Sequence, residues 1–152
     1  MATAYVRARD LCRSLGDTPH LAPVLQGLRM HHMLRAELQP ARIAAEELLA
    51  LGERVEDAGC LLEGHRAVGV IRFYAADFSA AGEHLQAGID LYSSEEHRSH
   101  VLRYEQDPGQ TCLSYAARVL WVLGYPAQAV VRAPGTESPA RCFKPRGARA
   151  RC

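Results

Sequence analysis

"RFYAADFSAAGEHLQAGIDL", residues 72–91, is the stretch whose reading decides the fold. Apolar residues lead into a small residue at Ala76, an aromatic follows two positions later at Phe78, and an alanine three beyond that at Ala81. The pattern recurs in "MLRAELQPARIAAEELLAL" (33–51) as Ala36, Leu38 and Ala41, and in "WVLGYPAQAVV" (121–131) as Gly124, Pro126 and Ala129. The small residue marks a turn between two helices. The later alanine lies where the helices cross, and a bulky side chain there would hold the backbones apart. The three turns are spaced by 40 and then 48 residues, close to the range of about 34 to 47 residues for helical-hairpin repeats.

The flanking sequence follows the same periodicity. "TPHLAPVLQGLRMHHMLRA" places Leu21, Val24, Leu25, Leu28 and His32 at helical steps, and Thr18-Pro19 is a good helix start. "QPARIAAEELLALGERVED", "AGCLLEGHRAVGVIRFYAAD" and "SAAGEHLQAGIDLYS" read as three more helices. Strand-like alternation is missing throughout. The expected fold is therefore all-α, with antiparallel hairpins over about 18–55, 57–93 and 107–131 stacked as a short tetratricopeptide-like solenoid within a domain of residues 1–131.

Between the second and third hairpins, "SSEEHRSHVLRYEQD" (93–107) is polar and weakly periodic, so it reads as an inserted loop. The adjoining "YEQDPGQTC" gathers an acid, a hydroxyl and a thiol and invites a catalytic reading. Asp107 is a good N-cap and Pro108 a good first helical residue, and Cys112, Leu113, Ala116, Ala117, Leu120 and Trp121 then follow at helical steps. A helix start explains the stretch. Beyond Val131, "APGTESPARCFKPRGARARC" has three prolines and no amphipathic period, so residues 132–152 are expected to form a disordered basic tail. No capping helix with a polar outer face is visible there, so the chain reads as a fragment or as altered in frame near residue 132.

Charge and cysteine usage narrow the functional classes. The 152 residues carry a formal net charge of +1, but residues 132–152 hold +5 and residues 1–131 hold −4. A nucleic-acid binder carries its positive charge on the folded surface, so nucleic acid is not expected as a partner. The five cysteines form no C-x-x-C and are odd in number, which suits reduced thiols rather than a disulfide framework. With no apolar run of membrane-spanning length, the expectation is a cytoplasmic protein with no membrane partner.

Two candidate sites emerge. In stacked hairpins the first helices line a groove, and the positions counted back from each turn are Gln26, Met30 and Met33, then Glu63, Arg66, Phe73 and Tyr74, then Ser114, Arg118 and Trp121. Aromatics, Met and Arg are the residues that anchor interfaces. Phe73 and Trp121 could instead pack between helices. The other candidate is a metal or nucleophilic centre using His31, His32, His65 and Cys112. No ligand spacing such as H-E-x-x-H supports it, no phosphate-binding glycine loop is present, and Cys112 falls on an apolar helical face. No cofactor is expected.

Over residues 4–131, through "RARDLCRSLGD", "ARIAAEELLALGERVED" and above all "YEQDPGQTCLSYAARVLWVLGYP", the chain resembles the tetratricopeptide-like region at the C-terminal end of large bacterial signalling ATPases, including those fused to class III adenylate or guanylate cyclase domains. The resemblance implies a sensing or protein-docking module whose partner is another protein or a neighbouring domain of a parent protein. Catalysis in such proteins lies in upstream domains whose motifs do not occur here. The expected function is thus a non-enzymatic helical-repeat interaction module, with a small helical enzyme or metal protein as the alternative.

Overall fold

The computed structural model describes residues 2–16, 18–92 and 107–133. The expected loop, except Asp107, and the tail beyond residue 133 lie outside these. Seven helices and no strands make up the described residues: α1 (Ala2–Leu15), α2 (Thr18–Leu34), α3 (Leu38–Val55), α4 (Ala58–Tyr74), α5 (Phe78–Leu91), α6 (Pro108–Val122) and α7 (Pro126–Arg132). The all-α expectation holds. Helix α1 was not anticipated from the sequence. It lies against α2, with the Tyr5 ring over Gly27 and Cys12 packed against the core.

The three turns recognised in the sequence share one geometry, and the geometry explains the small residues. Ala36, Ala76 and Gly124 have φ of 58°, 60° and 88°, in the left-handed region where a Cβ is costly. In each turn two backbone bonds close the helix. Ala36 N donates to Met33 O (3.0 Å) and Glu37 N to His32 O (2.9 Å); Ala76 N donates to Phe73 O (3.1 Å) and Asp77 N to Arg72 O (3.0 Å). Gly124 N donates to Trp121 O (3.1 Å) and Tyr125 N to Leu120 O (2.8 Å). This is the Schellman arrangement, which satisfies carbonyls that the helix end would otherwise leave open. Five residues after each of these positions, Ala41, Ala81 and Ala129 are buried as expected.

Three of the helix starts, those of α4, α5 and α6, are capped by aspartates. Asp57 accepts from Cys60 N, Asp77 from Ala80 N, and Asp107 from Gly109 N and Gln110 N. The Asp107–Pro108 helix start is therefore borne out. Each helix packs on the next along the chain, and α4 also touches α2 and α6, so α4 is the central element. One apolar core gathers Leu25, Leu48, Leu51, Val68 and Ile71; a second gathers Leu62, Leu85, Cys112 and Val119 with Phe73 and Phe78 against them. Between α3 and α4 the approach is close enough to exclude a methyl group, since a Cβ on Gly64 would lie 2.5 Å from Leu49 Cα. Among the described residues no helix is long and apolar enough to cross a membrane.

Candidate functional site

The ten anticipated groove residues lie on helices α2, α4 and α6, and the packing treats them differently. Tyr74, Arg118 and Trp121 are exposed; Gln26, Met30, Met33, Phe73 and Ser114 are half-buried. Glu63 and Arg66 are sealed, at 1% and 3% exposure. These two were expected to face a partner and instead face inward. The reason is helical phase: both lie on the side of α4 enclosed by its neighbours, and the two charges neutralise each other there.

The pair is joined by a third charge that the sequence reading missed. Arg29 of α2 is 1% exposed; its Nε donates to Gln26 Oε1 (2.9 Å) and its Nη1 to Met33 Sδ (3.3 Å). Among the described residues no carboxylate lies within ion-pair distance of it. Burial, followed by the nearby Arg66 charge, pushes the Arg29 guanidinium down to about 10, with Glu63 and Tyr115 acting the other way. It remains charged at neutral pH. Arg66 donates from Nε and Nη2 to Glu63 Oε2, at 2.8 and 2.5 Å, and Glu63 Oε1 has no protein partner. Two buried cations thus lie near one carboxylate, which Arg66 contacts directly and Arg29 feels only at longer range. Such clusters add little net stability but penalise misplacement of the helices that carry them.

An aromatic ridge lies towards the C-terminal ends of α4 and α6. Phe73 meets Tyr74, Phe78 and Tyr115 edge-on, with ring centroids 5.7, 5.6 and 5.3 Å apart. The Tyr74 and Tyr115 hydroxyls are 3.0 Å apart, and the Arg118 guanidinium sits 4.7 Å above the Tyr115 ring. Burial and the bond to Tyr74 raise the Tyr115 hydroxyl above its ordinary value. Phe73 is interhelical packing; Tyr74 and Arg118 present an aromatic and a cation to solvent.

The alternative histidine–cysteine set is dispersed. His31 and His32 contact each other edge-on, and His32 Nδ1 lies 2.6 Å from Glu37 Oε2. His65 Nδ1 faces His84 Nδ1 of α5 at 3.1 Å. Cys112 is fully buried, and burial pushes its thiol up to about 12, far from the range of a reactive thiolate. Asp107 is held by its cap bonds and by Tyr92 Oη at 3.0 Å. Among the described residues no three potential ligands converge. A separate cleft of about 610 Å³ lies among α1, α2 and α3, with Cys12, Arg13, Leu21, Glu47 and Arg54 in its wall. None of the anticipated site residues lines it, and the Arg13–Glu47 ion pair crosses it.

Comparison with protein-family models, with curated proteins and with solved structures returned no match to this chain.

Proposed function

We propose that this chain is a non-enzymatic, tetratricopeptide-like helical-repeat module that docks a protein partner. The observation that carries the reading is the exposed Tyr74 and Arg118, held at fixed spacing through Tyr115 across α4 and α6. Aromatic and Arg side chains on a rigid frame are the usual anchors of an interface, and a partner segment that is apolar with an acidic residue opposite Arg118 complements them. Support for the repeat architecture comes from the three identical turns and their buried alanines. On the sequence resemblance, the parent is a large bacterial signalling ATPase or cyclase, and the module acts within the cytoplasm as a docking or sensing arm.

The test is site-specific photocrosslinking in cells, with benzoylphenylalanine placed at Tyr74 and, as a control on α3, at the exposed Ile43. A discrete adduct formed from position 74, absent from position 43 and lost on Arg118→Glu supports the reading. Equal labelling from both positions sinks it.

A further inference from the structure

His65 of α4 and His84 of α5, 19 residues apart in sequence, face each other through like atoms. Nδ1 lies 3.1 Å from Nδ1, with ring centroids 5.3 Å apart and planes tilted by 41°. Close packing of α4 on α5 brings them together. A Cβ on Gly69 would lie 2.8 Å from Leu85 Cγ, and one on Gly88 would lie 3.8 Å from His65 Cβ. Both rings are half-buried, so the pair is held by the fold yet reachable from solvent.

Burial, followed by the facing ring for His65 and by Arg72 for His84, holds both histidines below their ordinary value. Both rings are therefore neutral at pH 7, and each neutral imidazole has one N–H and one lone pair. The gap between the two Nδ1 atoms takes one proton or one metal ion. Two nitrogens bound at about 2.0–2.1 Å to a tetrahedral zinc ion stand about 3.3 Å apart. The observed 3.1 Å is within about 0.2 Å of that separation, the tolerance expected of a metal site. Neighbouring charge also favours a cation: Glu53 acts on His65 and Glu46 and Glu83 act on His84, against Arg72 alone.

We infer that His65 and His84 form a two-histidine site for a divalent late transition-metal ion, zinc above all, with water completing the coordination. Imidazole suits zinc, copper and nickel, whereas magnesium and calcium take oxygen ligands. Among the described residues no third protein ligand converges on the pair, so the ion is exchangeable rather than permanent. Once bound, it ties α4 to α5 across their packed faces. The site shares only His65 with the dispersed set described above. It uses neither Tyr74 nor Arg118, so it stands apart from the proposed docking role.

The probe is zinc chloride added to the full chain, stripped with chelator and kept reduced. The five cysteines are also zinc ligands, so the readout is nitrogen-15 NMR of the histidine rings. The Nδ1 signals of His65 and His84 are expected to move together and saturate with one zinc ion. In urea unfolding, zinc at about 100 times the Kd from that titration raises the folding equilibrium constant by up to about 100-fold. That gain is expected to vanish in His65→Gln and in His84→Gln. Zinc that leaves the His65 and His84 signals of the unaltered chain in place overturns the inference, however the variants fold. A stability gain undiminished in His84→Gln overturns it too.

Discussion

Arg66 grips Glu63 through a single carboxylate oxygen, Oε2, and leaves Oε1 buried without a protein partner. With Arg29 close by, this carboxylate is the one counter-charge for two enclosed guanidinium groups. Its removal is therefore the most damaging change available in the cluster. Glu63→Leu is expected to destabilise the chain by about 3–5 kcal/mol, because two like charges are left buried together. Glu63→Leu combined with Arg66→Met is expected to recover only part of that loss, since the repulsion between the guanidinium groups is gone but Arg29 stays buried without the carboxylate. A double-mutant cycle by urea unfolding measures the difference, and equal costs for the single and double variants would refute the pairing.

Ala76 holds a left-handed conformation that glycine adopts without strain. Ala76→Gly is expected to raise stability by about 0.5–1 kcal/mol, the relief of Cβ strain exceeding the added chain entropy. Gly124→Ala is expected to lower it by about 1 kcal/mol for the same reason in reverse. Urea midpoints of the two variants moving in opposite directions confirm this; a shared direction contradicts it.

Two helical glycines separate close approach from idle space. A methyl group at Gly64 would meet the Leu49 backbone at 2.5 Å, whereas at Gly82 its nearest neighbour is Val119 Cγ1 at 3.6 Å. Gly64→Ala is expected to cost about 2–3 kcal/mol by forcing α3 from α4. Gly82→Ala is expected to stabilise by up to about 1 kcal/mol through helix propensity. Thermal melts of the two single variants decide the matter.

His65 and His84 share their Nδ1 contact across α4 and α5, and both are held below the ordinary 6.5. Burial is the main cause, followed by His84 for His65 and by Arg72 for His84, with Glu46, Glu53 and Glu83 opposing. The unfolded chain then binds more protons than the folded one as pH falls below about 6.5, so stability is full above that value and declines as pH falls towards the depressed folded values. Unfolding free energies at about pH 7.5 and about pH 5.5 should show this loss, with a smaller one in His84→Gln. An unchanged slope in the variant would place the acid sensitivity elsewhere.

Much of the architecture was legible because its determinants are local. A helix that ends in a left-handed residue needs a small side chain there, and the crossing needs another five residues on, so Ala36/Ala41, Ala76/Ala81 and Gly124/Ala129 appear as a repeating signature. Asp107-Pro108 likewise announces a helix start within two residues. The site was less legible. Glu63 and Arg66, three apart on a helix, look like an ordinary solvated ion pair, and only the packing of α2 and α6 on α4 encloses them. Arg29 carried no signal at all, because its burial depends on residues of α4 and α6 more than thirty positions away. Helix α1 escaped notice because its inward positions, Tyr5 and Cys12 among them, are only half-buried, and its seat is completed by Gly27 on another helix.

The recurrence of one turn has a consequence for how such a chain can change over generations. Each turn leaves the backbone heading the same way out of the same left-handed residue, so Ala36 and Ala76 are interchangeable as joints. A recombination event that duplicates the 40 residues between them keeps every turn, whereas the reverse deletion takes out α4, the central helix. What the new neighbours must then satisfy is the residue three before the joint, Met33 in one case and Phe73 in the other. The shared turn geometry thus makes Ala36 and Ala76 equivalent joints, and the side chain three before each joint is the first that a new neighbour would meet.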